Sequence, residues 1–413
     1  MKAIKRLAAI VAVLAGTAAY AQNNYPVRNP EGPFKVFIGE CTHGKVETSP
    51  AINPTGTYLP KGTVLKVKAT ADPGYAFECG YDAMGGQFGY FTEYFSEEFE
   101  VTVGSDLAIG ASFVEPSILA GHTCKHDIVY AQPGVKPLKY DAFIPDGAKK
   151  LPGIVIIHGG GWRMNCEDVM SGLARELIKD GKYVVFSIDY RWNGTADGDT
   201  TPNTINQLIE DCYGAILHIQ EHASEYGLDP KKLAVTGDSA GGHLCASVAN
   251  MIELVGDGGF GVTPGVFEYL PTYVPEGMSM KKVRKNLLAI KAVAPNYGIF
   301  SVSGIQRFVR DLPEAGQNAV APLSNIPDPK MRKIPHWLNR GTEDTLVNDE
   351  STMEYYNALK AAGQEVYYVK VPGAAHAYYD WKPDTATKET FWKYGAPYAK
   401  QMEEFFNSVF YKK

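Results

Sequence analysis

The chain predicts an α/β fold: a mostly parallel sheet with helices on both faces, preceded by a small, mostly-β domain. Three observations carry this. Beyond residue 122, short apolar runs alternate with helical stretches, the pattern of a parallel sheet covered on both faces. Between residues 22 and 116, apolar and polar residues instead alternate with period two, in segments split by Gly, Pro and Asp turns. Finally, Leu233-Ala234-Val235-Thr236 leads into Gly237-Asp238-Ser239-Ala240-Gly241-Gly242 and a helix-like segment from His243. That is a strand, a sharp turn with a serine at its tip, and a helix.

In chain order, the first 21 residues read as a secretory signal. Lys2, Lys5 and Arg6 form its positive region, Leu7 to Ala18 its apolar one, and Ala19-Tyr20-Ala21 a small-x-small cleavage site. The apolar region is too short to span a bilayer. Cleavage before Gln22, which is not a lipidatable cysteine, implies a soluble secreted or periplasmic product.

Residues 22–116 form the β domain, with alternating segments Thr63 to Ala69 and Glu98 to Val103. Residues 22–115 hold six Lys/Arg against twelve Asp/Glu, which argues against docking on anionic surfaces. The aromatic run Phe88 to Phe95 is open to two readings, a sugar-stacking platform or the core of a small domain. Glu115 to Gly121 reads as a short linker, and the candidate catalytic motifs lie beyond Leu151, so this domain is expected to be dispensable for chemistry on small substrates.

His122-Thr123-Cys124-Lys125-His126 has a His-x-x-x-His spacing that would align two imidazoles on a helix. Pro116, Gly121 and the strand-like Ile128-Val129-Tyr130 favour a surface junction, and no metal site is expected. Of six cysteines, Cys212 and Cys245 read as buried free thiols. Disulfides Cys41–Cys79 and Cys124–Cys166 are the two pairings that export would permit.

In the domain spanning 122–413, strands are expected at 154–158, 183–188, 233–237, 288–294, 334–340 and 365–371. Helices are expected at 167–180, 204–225, 240–253, 350–362 and 388–410. Each strand feeds a loop at its C-terminal edge, where ligands bind in such sheets. Two segments, 254–285 and 299–330, interrupt the alternation and read as lids or binding loops. The first carries Phe260, Phe267, Tyr269, Tyr273 and Met278. Trp162, Tyr297, Phe300 and Tyr378 are the other candidates for substrate contact.

The chemistry follows from the serine. Glycines on either side let the backbone turn tightly and push the hydroxyl into open space. Directly after the apolar run Ile154 to Ile157 lies His158-Gly159-Gly160-Gly161-Trp162. Backbone N–H groups of Gly160, Gly161 and Ala240 would form an oxyanion hole, commonly the largest electrostatic contribution to acyl transfer. The base should lie downstream, and His376, in a loop after the strand Val366 to Val371, is chosen over His336, which sits inside a strand-like run. The acid should follow the preceding strand, where Asp344 has the position of choice beside Glu343. His376 would deprotonate Ser239, and water would later hydrolyse the acyl-enzyme, a cycle needing neither cofactor nor metal. Asp189, Arg191 and Asp211 read as a buried structural network, and His243 as a packing residue.

Four blocks of this chain resemble the α/β-hydrolase superfamily, within it the hormone-sensitive-lipase-like esterases and their bacterial feruloyl-esterase and acetyl-esterase-like branch. They are His158 to Trp162, Asp189-Tyr190-Arg191, Ile209 to Ser239, and the Asp344 and His376 loops. The resemblance spans roughly residues 125 to 410. One departure is His376-Ala377-Tyr378, where many relatives carry Gly-Phe after the histidine. Through Lys61-Gly62-Thr63, Asp72 to Phe77 and Ala111-Ser112-Phe113, the first domain resembles divergent bacterial surface repeats. The resemblance implies a secreted serine carboxylester hydrolase releasing feruloyl or acetyl groups from plant polysaccharides. The alternatives are an amide-cleaving relative, arylformamidase-like or exopeptidase-like, and a catalytically dead adhesion or carbohydrate-binding protein. With 45% apolar and 21% charged residues in 413, the chain can bury large cores. A net charge of −6 without a basic tract argues against nucleic acid as a partner.

Overall fold

A computed structural model describes residues 31–256 and 268–412; the signal-like segment, Phe260 and Phe267 lie outside the described residues. The N-terminal strands are β1 (Phe34–Ile38), β2 (Gly44–Ser49), β3 (Thr57–Leu59), β4 (Val64–Ala71), β5 (Ala76–Met84), β6 (Phe91–Tyr94), β7 (Glu98–Thr102) and β8 (Leu107–Val114). They form a five-stranded sheet, β3-β1-β8-β5-β6, and a three-stranded sheet, β2-β4-β7. The period-two pattern is realised most plainly in β4, where Leu65, Val67 and Ala69 are buried and their neighbours exposed. Leu65, Val67, Phe99 and Val101 from one sheet pack with Phe34, Val36 and Ile109 from the other in a single core, as face-to-face sheets require.

Strand β8 is buried along its whole length, so both faces of the larger sheet are covered. Its outer side packs on the second domain: Tyr81, Ala83, Phe91 and Val114 share a core with Leu173, Leu177, Tyr183 and Trp381. Glu78 seals this seam. Its buried carboxylate accepts from Trp381 Nε1 at 2.7 Å and pairs with Lys388 at 3.0 Å and with Arg175. Burial alone would raise the Glu78 pKa, but Lys388 and Arg175 outweigh it and hold the carboxyl far below its usual range. The expectation of a loosely linked, dispensable first domain therefore meets a seam with its own apolar core and ion cluster.

The second domain is built on β9 (His122–Ala131), β10 (Leu138–Pro145), β11 (Leu151–Ile157), β12 (Val184–Ile188), β13 (Leu228–Asp238), β14 (Ile290–Asn296), β15 (His336–Gly341) and β16 (Val366–Val371). The sheet order is β16-β15-β14-β13-β11-β12-β10-β9. Strands β11 to β16 pair in parallel, while β9 and β10 form an antiparallel edge. The six expected strands are present, with β13 starting five residues early. The edge strand β9 and its neighbour β10 are additional to the six; β9 alternates half-buried and exposed positions and lacks an apolar run.

The main helices span Ser171–Ile178, Ile205–Glu221, Ala240–Asn250, Asp349–Ala362 and Ala396–Phe410. A capping box starts the second, with Thr204 and Gln207 satisfying each other's backbone N–H groups. Of the two supposed loop insertions, the 299–330 stretch contains the helices Val302–Val309 and Glu314–Ala319. Tyr269 is buried and donates to the Ala319 carbonyl, and Phe300 is buried and stacked on Tyr355, so neither lines an open pocket. Tyr273 is bonded to Glu221 through its hydroxyl.

All six cysteines are free thiols, which sets aside the Cys41–Cys79 and Cys124–Cys166 bridges. Cys79 is buried in β5 while Cys41 lies half-exposed beyond β1. The aromatic run resolves into packing: Tyr94 stacks on Phe99, Phe95 on His126, and Tyr90 meets Trp192 edge-on. These rings fill the module and its seam, which answers the platform reading.

Candidate active site

Strand β13 ends at Asp238 and a helix begins at Ala240, leaving Ser239 alone to reverse the chain. Its backbone takes φ 50°, ψ −115°, a region costing a non-glycine residue about 1–3 kcal/mol. Neighbouring atoms permit the turn only without a side chain at Gly241, whose Cβ would lie 1.9 Å from the Ile157 carbonyl oxygen. The Ser239 N–H donates to the Asn296 carbonyl at 3.0 Å, tying the elbow to β14. Its side chain remains partly open.

The base reaches the serine from the loop after β16. His376 Nε2 lies 2.8 Å from Ser239 Oγ, and its Nδ1 lies 2.7 Å from Asp344 Oδ2. Asp344 is the buried member of its pair, with Glu343 exposed. Its second oxygen, Oδ1, accepts from the N–H groups of Leu346 and Val347 at 2.9 and 3.0 Å. Burial pushes the Asp344 carboxyl up, but the His376 bond and these backbone donors prevail and hold it below its ordinary value. It thus remains an acceptor able to fix the imidazole's tautomer.

Gly160 and Gly161 have φ 113° and 60°, and a Cβ on Gly160 would strike the Met164 carbonyl at 2.2 Å. The N–H groups of Gly160, Gly161 and Ala240 bond to no acceptor among the described residues. Three donors left free beside a partly open hydroxyl suit a developing oxyanion. The glycine loop is pinned from below: Gly159 N–H donates to Asp238 Oδ1 at 2.6 Å. Burial, reinforced by Asp380, raises the Asp238 carboxyl to about 7. This link between elbow and glycine loop was missed in the sequence, although Asp238 stands next to the serine.

The other histidines serve structure. His158 is buried, stacked on Tyr190 and 3.1 Å from Asp189 Oδ1. Asp189 also pairs with buried Lys136 at 2.7 Å, a partner nothing in the sequence signalled. Arg191 meets Asp211 in a two-pronged bond, Nε to Oδ2 at 2.8 Å and Nη2 to Oδ1 at 2.7 Å. The expected buried network is therefore present. Burial drops His243 to about 4 and His336 to about 3, leaving both neutral cores of their elements. His336 lies in β15, away from the serine, as its strand-like setting implied.

Three of the residues expected to touch substrate, Trp162, Tyr378 and Tyr297, are buried. Trp162 is 2% exposed; its Nε1 donates to His243 Nδ1 at 3.4 Å and its ring meets Phe308 edge-on. Tyr378 is buried and donates to Asn339 Oδ1 at 2.9 Å. Tyr297, also buried, presents its ring edge to His376 at 4.9 Å between centroids, and its hydroxyl accepts from the Tyr379 N–H. Each polar tip is already bonded to protein, and of the three rings Tyr297 packs against His376.

The His-x-x-x-His segment lies in β9, as a strand. His122 bonds back to the Ala120 carbonyl, whereas His126 contacts Asp141, so the imidazoles do not converge. Away from the serine, two groups have metal-ligand spacing: Cys124, His126 and Asp141, and Asp141, Glu167 and Asp168.

Comparison with known proteins bears on family and fold. The BD-FAE family model matches residues 140–359, slightly more than half of the chain. Carboxylesterase NlhH of Mycobacterium tuberculosis is 29% identical over 236 residues, 55% of this chain and 66% of NlhH. The chain therefore matches just under two thirds of that relative's length. Carboxylic ester hydrolase LipN of the same organism is 40% identical over 108 residues, 26% of this chain and 27% of LipN. Among solved structures, esterase 2 of Thermogutta terrifontis in its tabun-reacted form aligns with TM-score 0.50 at 22% identity. It covers 70% of this chain and 96% of that one, a likeness of fold.

Proposed function

The chain belongs to the BD-FAE family of hormone-sensitive-lipase-like α/β-hydrolases, and from that premise we propose that it is a serine carboxylester hydrolase. The observation that carries the reading is the unbroken chain Ser239 Oγ, His376, Asp344, with contacts of 2.8 and 2.7 Å. In the proposed cycle His376 Nε2 takes the Ser239 proton as Oγ attacks the ester carbonyl. The oxyanion forms against the amides of Gly160, Gly161 and Ala240. His376 then protonates the leaving alcohol, and water, deprotonated by the same nitrogen, releases the acid. Asp344 stays ionised throughout and stabilises the imidazolium.

For substrate we propose short acyl or cinnamate-type esters, feruloyl or acetyl groups on plant polysaccharides. The family match and the export-type N-terminus, Lys2 to Ala21, support this reading. A panel of p-nitrophenyl acetate, butyrate and decanoate, methyl ferulate and an anilide tests it. Highest kcat/KM on acetyl or feruloyl esters is the expected outcome. A maximum at decanoate would favour a lipase, and one on the anilide an amidase.

A further inference from the structure

A buried acidic group lies at the far end of the oxyanion loop. Asp141 in β10 and Glu167 and Asp168, in the helical turn after that loop, are 1%, 0% and 5% exposed. Each contributes an oxygen to a triangle with no side longer than 4.8 Å. Asp141 is the best satisfied, accepting from the Asp127 N–H through Oδ1 and contacting His126 through Oδ2. Lys139 Nζ pairs with Asp127 and stands 3.0 Å from Glu167 Oε1. That leaves Glu167 Oε2 and Asp168 Oδ1 buried without any donor. Buried carboxylate oxygens are otherwise paired, hydrogen-bonded or metal-bound.

We propose that Asp141, Glu167 and Asp168 form a structural site for a hard divalent cation, Ca²⁺. All three offered atoms are carboxylate oxygens, the donors Ca²⁺ selects, and the triangle is one that bonds of about 2.3–2.6 Å span, with further places left for water. The neighbouring soft trio of Cys124, His126 and Asp141 is the weaker choice for a cation. Its members bond one another, Cys124 Sγ to His126 Nδ1 at 3.6 Å and that nitrogen to Asp141, and none of its atoms is orphaned. The cation joins β10 to the turn at 167–168. Because Asp238 already holds Gly159, the segment carrying Gly160 and Gly161 is then anchored at both ends.

The test is metal analysis and calorimetry on the full chain stripped with EDTA. One Ca²⁺ per chain should bind, and thermal unfolding should shift upward by several degrees on adding Ca²⁺ alone. Asp168→Asn removes a charge from a crowd of like charges and keeps its shape, so it should fold yet lose the calcium response. Glu167→Gln should do the same and serves if the first variant does not fold. Absence of calcium binding overturns the proposal. So does calcium binding that survives both changes, or binding of Zn²⁺ but not Ca²⁺ that Cys124→Ser removes.

Discussion

Two carboxylates hold the loop that carries the base, one at each end. Asp344 grips His376 from the hydrolase sheet, and Glu78 grips Trp381, five residues later, from the β module. The first leaves one face of its partner open, since His376 still points Nε2 at Ser239. The second is closed on all sides by Arg175, Lys388, Ser112 and Trp381. On the proposed mechanism, the same chemical group serves turnover in one place and architecture in the other. What separates them is whether a reacting atom remains within reach of the group they orient.

The largest effect should come from the open end. Ser239→Ala should lower kcat on p-nitrophenyl acetate by about 10⁴-fold or more, as triad losses do, with an unchanged unfolding midpoint. Residual turnover near the wild-type rate would mean another nucleophile. Asp344→Asn should cost about 10³–10⁴-fold through the wrong tautomer, while Glu343→Gln, exposed and away from His376, should leave kcat within about twofold. The reverse ranking would move the acid by one residue.

At the closed end the loss should be of stability. Glu78→Gln leaves Arg175 and Lys388 buried against a neutral group, and breaking such a cluster costs about 3–5 kcal/mol. Denaturant unfolding measures it. The pH dependence has a fixed sign. The folded-state pKa of Glu78 lies below its ordinary 4.5, so its contribution is complete above about pH 4.5 and falls away as pH drops below that. The stability gap between wild type and Glu78→Gln should therefore be widest near neutral pH and narrow in acid. A gap constant from pH 7 to 3 would deny the carboxylate this role. A chain starting at Gly121 bares Leu173, Leu177 and Trp381 and should aggregate, against the expectation from sequence that it would work alone.

The contrast also explains what the sequence could reveal. Ser239, Asp344 and His376 were legible because each sits in a loop after a strand, in a fixed chain order, with local glycine and turn chemistry. Glu78 was not, since its partners Arg175, Trp381 and Lys388 lie 97, 303 and 310 residues away. A separation of 53 residues likewise hid Lys136 beneath Asp189. Trp162, Tyr297 and Tyr378, expected at an open pocket wall, are buried. Sequence marks an aromatic residue near a motif, and only packing decides whether its face is open or covered.

Between His376 and Trp381 lies Ala377. Its φ is 63°, the left-handed region in which an L-residue other than Gly loses about 1–2 kcal/mol. Glycine's greater freedom in the unfolded chain returns about 0.4–1 kcal/mol of that, so Ala377→Gly should stabilise by at most about 1.6 kcal/mol. With both ends of the loop clamped, His376 should keep its place, and kcat should change by less than about twofold. Combining Ala377→Gly with Glu78→Gln sharpens the comparison: once the module's grip is gone, the added flexibility should reach His376 and the double variant should lose kcat beyond the product of the single effects. Simple multiplicativity would mean that Asp344 alone positions the base and that Glu78 serves only the seam.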